Sequence, residues 1–107
     1  MAAPVFHLLL CRKGDKLPPY VIELAKGYNA KLYIANNEKH VRQMLREHSI
    51  DTVLIGSGLS AEMRGAMVQA IASIRPDLSI HINGDVTGGL SFPQFMEKTL
   101  SAYLPKH

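Results

Sequence analysis

Only one cysteine occurs in the chain, Cys11, so no internal disulfide can staple the fold. A lone thiol fits a reducing compartment. Long apolar runs are lacking too. The most apolar stretch, residues 5–11, is too short to span a bilayer. No positive residue precedes it and no small-residue cleavage site follows, so it does not read as a signal segment, and a cytoplasmic location is expected. Basic residues outnumber acidic ones, for a formal net charge of +3, yet no Lys/Arg run has the density of a nucleic-acid patch. Metal sets are also missing. Among the five histidines, His40 and His48 stand two helical turns apart, and no cysteine or carboxylate completes a ligand set. Neither a membrane, nucleic acid, a metal nor a cofactor is therefore expected as a partner.

What is present is an ordinary globular mixture. Hydrophobic residues make up 47% and charged residues 20% of 107, enough for one domain with one modest core over residues 1–107. Val5-Phe6-His7-Leu8-Leu9-Leu10-Cys11 reads as a strand apolar on both faces, as in a sheet covered by helices on both sides. Thr52-Val53-Leu54-Ile55-Gly56 reads the same way. Lys31-Leu32-Tyr33-Ile34-Ala35 and Ser79-Ile80-His81-Ile82-Asn83 alternate, as edge strands do.

Helices are expected between and after these strands, over residues 18–28, 38–48, 61–74 and 92–104. Val21, Ile22, Leu24 and Ala25 should face inward from the first. Asn37 and Ser60 are N-cap candidates for the second and third. Ser91 and Gln94 have capping-box spacing for the last. Two buried strands between two alternating ones give a parallel sheet in the order 2-1-3-4. Right-handed crossovers then place helices on both faces, a flavodoxin-like α/β three-layer sandwich.

In such a sheet ligands bind beyond the carboxyl ends of the strands, where the strand order reverses. Residues 11–15, 56–60 and 83–85 should converge there. Arg12 and Lys13 supply positive charge, and Ser57, Gly58 and Ser60 open a helix, so these five are the candidates for holding a small anionic ligand. The same residues also read as a tight turn beside two surface cations. Cys11 reads as a nucleophile whose pKa is lowered by Arg12 and Lys13, or as a small buried apolar residue. Asp51 and Asp77 precede the third and fourth strands, at the opposite end, and read as strand-entry and turn residues.

Several stretches carry a family resemblance. Ala35-Asn36-Asn37-Glu38 followed by residues 41–48, Asp51-Thr52-Val53-Leu54-Ile55, Leu59 through Gly65, Ile74-Arg75-Pro76-Asp77-Leu78-Ser79-Ile80, and Ser91-Phe92-Pro93 together resemble the receiver domain of two-component response regulators. The resemblance covers most of the chain as a pattern. It implies a phosphoacceptor aspartate ending the third strand, where this chain has Gly56. It implies acidic Mg²⁺ ligands after the first strand, where this chain has Arg12 and Lys13. The segment between Ile82 and Ser91 is too short for a full helix and strand, so the receiver's fourth helix and fifth strand look deleted. The resemblance thus implies a pseudo-receiver that binds a protein partner, a second copy of itself included, without forming an aspartyl phosphate. Ile80, His81 and Ile82, on the edge exposed by the missing strand, are the interface candidates. The chain also resembles the lactose/cellobiose-type IIB components of sugar phosphotransferase systems, in length and in Cys11 ending the first strand. That resemblance implies Cys11 as a phosphoryl-accepting thiolate, exposed and with a depressed pKa, although Pro18 and Pro19 remove backbone donors from the loop expected to cradle the phosphoryl group.

Overall fold

Two strands apolar on both faces, two alternating strands and apolar stripes on the helices generate three layers. The computed structural model describes residues 5–14, 16–17, 19–56, 58–83 and 91–103. The elements run β1 (Phe6–Cys11), α1 (Pro19–Gly27), β2 (Ala30–Ala35), α2 (Glu38–Glu47), β3 (Thr52–Ile55), α3 (Ala61–Ile74), β4 (Ser79–Ile82) and α4 (Phe92–Tyr103). All strand pairs are parallel and the order is β2-β1-β3-β4, as the hydrophobic pattern requires. The architecture is the flavodoxin-like α/β fold.

The two central strands have side chains buried on both faces. Leu9, Cys11, Val53 and Ile55 pack under α2 and α3, against Val41, Leu45, Met67, Ala70 and Ile71. Leu8, Leu10 and Leu54 pack on the other face, against Val21, Ala25 and Tyr28 of the α1 region and Phe95, Met96 and Leu100 of α4. Burying each such side chain contributes about 1.5–3 kcal/mol. Their number explains how a chain without crosslinks holds its fold.

Local chemistry sets the helix ends. Asn37 Oδ1 accepts the His40 N–H at 2.8 Å, and Ser60 Oγ accepts the Met63 N–H at 3.1 Å. At α4 the Ser91 N–H donates to Gln94 Oε1 at 3.1 Å and Ser91 Oγ accepts the Gln94 N–H at 3.4 Å, the reciprocal pair that the capping-box spacing predicts. Asn29 closes the first crossover with φ of 55°, a left-handed conformation asparagine tolerates.

One inward assignment is corrected. Ile22 is 41% exposed, and Tyr28 is buried in its place. The buried stripe runs Val21, Ala25, Tyr28, at i, i+4 and i+7, and Ile22 stands about 100° round the helix from it. Of the segment where the receiver's fourth helix and fifth strand look deleted, residues 84–90 lie outside the described residues. The described elements pass from β4 to α4.

Candidate cleft at the carboxyl end of the sheet

The carboxyl ends of β1, β2 and β3 open into a cleft of about 520 Å³ lined by Lys13, Gly14, Asn36, Gly58, Leu59, Ser60 and Met63. A second hollow of about 490 Å³ continues between the first turns of α2 and α3, sharing Ser60 and Met63 and adding Asn37, Glu38 and Lys39. The backbone sets this geometry. The Gly56 N–H donates to the Cys11 carbonyl at 2.9 Å, and the Arg12 N–H donates to the Ala35 carbonyl at 3.1 Å, so the ladder continues one residue past each strand before the loops diverge. Gly14 then turns the first loop at φ of 92°, where a side chain would be strained.

Of the candidate anion-binding residues, Lys13, Gly58 and Ser60 meet at this cleft. Ser57 lies outside the described residues. Arg12 does not line the cleft, and the assignment of it as a surface cation is corrected. It is partly buried, with Nε and Nη1 out of contact with solvent. Strand alternation explains this: Arg12 continues the face of Leu8 and Leu10, under α1 and α4, whereas the cleft lies on the face of α2 and α3. Of the third loop only Asn83 is among the described residues, and residues 84–85 lie outside them. Asn83 is buried and its N–H donates to the Ile55 carbonyl at 2.9 Å, while Asn36, from the loop after β2, joins the cleft. Asn36 was readable in principle, because an order of 2-1-3 forces the loops after β2 and β1 side by side.

Cys11 is fully buried beneath the cleft. Burial alone pushes its thiol from 9.0 up to about 12. A phosphoryl-accepting thiolate needs the opposite, exposure and a lowered pKa. The expectation of an exposed, acidic Cys11 is therefore corrected: the apolar run that makes β1 a central strand also seals its last side chain. Gly56, which follows β3, has no side chain to direct into the cleft, and no carboxylate lines the 520 Å³ cleft among the described residues.

The amino end of the sheet is built differently. The His7 N–H donates to Asp51 Oδ2 at 2.7 Å, and the Asp51 N–H donates to the His7 carbonyl at 2.8 Å. His7 Nδ1 and the Tyr33 hydroxyl are 2.8 Å apart, and the Tyr33 ring lies 4.3 Å from that of His48. Asp51 is thus a strand-entry residue, as its position implied. Asp77 pairs with Arg75 through two contacts of 2.8 and 3.0 Å in the turn that ends α3. The Arg75 guanidinium holds the Asp77 carboxyl below its ordinary range. His7, His48 and His81 stand apart from the cleft, and the described residues contain no cluster of three or more metal-ligating side chains.

The interface candidates lie on β4, at the sheet edge. Ile80 and His81 are half-buried and Ile82 is 48% exposed. No helix of the described residues is long and apolar enough to cross a membrane. No protein-family model, curated protein or solved structure matches the chain, so the flavodoxin-like fold and the cleft are what describe it.

Proposed function

We propose that this protein is a receiver-like signalling domain of the cytoplasm that works by binding a protein partner and does not form an aspartyl phosphate. The observation that carries this reading is Gly56. It occupies the end of β3, beside Cys11, where a receiver presents its phosphoacceptor carboxylate. Arg12 and Lys13 follow β1 in place of Mg²⁺-binding acids, so a divalent cation finds no side-chain carboxylate at those positions. The packing of α1 and α4 on one face and α2 and α3 on the other is compatible with the receiver layout. Incubation of the full chain with acetyl phosphate and Mg²⁺, followed by intact-mass measurement, tests the reading. An unchanged mass is expected, and an acyl phosphate on any aspartate would sink it.

One observation favours a second reading, a sensor of a small anionic ligand. The cleft combines Lys13 with the N-terminal end of α3 at Ser60, both of which attract an anion, while Glu38 and Glu62 line the adjoining hollow and confine that attraction to the Lys13 side. Thermal shifts across a panel of phosphorylated metabolites distinguish it. A flat panel removes the sensor reading, whereas a shift abolished by Lys13→Ala supports it. The phosphocysteine carrier reading needs an ionised Cys11, and burial of that thiol weighs against it.

A further inference from the structure

The hydrogen-bond parity of β4 leaves a self-complementary edge. The Asn83 N–H donates to the Ile55 carbonyl. In a parallel strand alternate residues direct both backbone groups to the same neighbour. On that parity Ser79, His81 and Asn83 serve β3, and the N–H and C=O groups of Ile80 and Ile82 point to the outer edge. Among the described residues no strand pairs with that edge.

The two edges of the sheet differ in charge. β2 carries the exposed Lys31, whose ammonium sits 5.6 Å from the Tyr33 ring centre, and an edge lysine blunts strand addition. β4 is Ser-Ile-His-Ile, with no lysine, arginine, acid or proline. In a chain of net charge +3, it is therefore the edge at which two copies meet with least repulsion.

We infer that the protein partner is a second copy of this chain, joined by antiparallel pairing of β4 with β4 across a two-fold axis at His81. This rests on the proposed reading of the chain as a protein-binding domain. In this register the Ile80 N–H and C=O pair with those of Ile82 in the other copy, and the symmetric pair forms likewise. Ile80 and Ile82 of the two copies lie opposite one another on the α3 side. They cover the exposed Ile82 and join two sheets into one. A contact between four-residue strands is smaller than the about 800 Å² per partner of a standard stable interface. The dimer is therefore weak and concentration-dependent.

Sedimentation velocity over a concentration series tests this. The expected result is a monomer–dimer equilibrium that Ile82→Lys shifts to monomer at every concentration with its α/β circular dichroism retained. A monomer at the highest concentration, or a dimer that survives Ile82→Lys, overturns the inference. The register has its own test. Directly opposite residues of a non-hydrogen-bonded antiparallel pair stand about 4.5 Å apart at Cα, within disulfide reach. His81→Cys should give a covalent dimer on mild oxidation, and Lys31→Cys should not. Equal crosslinking of both, or none at position 81, overturns the register. These outcomes are separate from the phosphodonor experiment. A monomeric chain that takes no phosphoryl group removes the dimer alone, and a phosphorylated chain removes the underlying reading whatever its mass in solution.

Discussion

The two ends of the sheet are built on different principles. At the amino end side chains close on one another: Asp51 is tied to His7 by two hydrogen bonds, and His7, Tyr33 and His48 form a ring contact series. At the carboxyl end the backbone carries the structure, and Lys13, Gly58 and Ser60 stand around a cleft. The difference shows where each kind of residue belongs. Groups that satisfy one another stabilise the fold, and an exposed group beside open volume such as Lys13 can meet a partner, while Ser60 lines the cleft and also caps α3. Cys11 belongs with the first kind, though it lies at the second end, because its side chain is buried below the cleft.

That placement gives the largest expected effect. The folded Cys11 pKa, about 12, lies above its ordinary value of 9.0. The folded state therefore keeps a proton that the unfolded state releases. The associated stability is complete below pH 9 and is lost as pH rises from 9 towards 12, by on the order of 3–4 kcal/mol. Urea unfolding of the wild type and Cys11→Ala across that range should show a steeper decline in the wild type. Parallel declines would mean that Cys11 ionises in the folded state and belongs to the cleft.

The N-caps come next. Asn37→Ala and Ser60→Ala should each cost about 1 kcal/mol by removing an acceptor for a first-turn N–H, measurable as a lower urea midpoint. If Ser60 acts only as a cap, Ser60→Asp retains stability. A loss with aspartate would show that the hydroxyl has another task at the cleft. Asp51→Ala should cost roughly 0.5–1.5 kcal/mol, since the His7 N–H loses its carboxylate acceptor near solvent. The cleft should not register this change: amide NMR shifts confined to β1, β3 and the His48 region are expected, and shifts reaching Gly58 would erase the distinction between the ends. Lys13→Ala is the smallest, within about 0.5 kcal/mol in thermal unfolding, because an exposed cation at an open cleft holds nothing in place. A larger loss would make Lys13 a structural residue.

Where the determinants are local, the sequence is easy to read. Asn37, Ser60 and the Ser91–Gln94 pair cap as their spacing foretells, and the contrast of all-apolar and alternating runs orders the strands. Where a residue's surroundings come from distant elements, the pattern underdetermines the outcome. Residues 5–11 are apolar on both faces, so nothing in them says that Cys11 is sealed while Arg12 turns under α1 and α4. Ile22 is as apolar as Val21, and only the position of α1 over β1 and β2, beside α4, chooses between them. Asn36 enters the cleft through the proximity of β2 and β1, a consequence of topology that no motif marks.

The absence of aspartyl phosphate chemistry at Gly56 is the central claim, and intact-mass spectrometry of the full chain after exposure to acetyl phosphate and Mg²⁺ tests it most directly. One species of unchanged mass is expected, with unchanged amide shifts at Gly56, Gly58 and Ser60. A phosphoryl adduct mapped to an aspartate, with shifts at those residues, would contradict it.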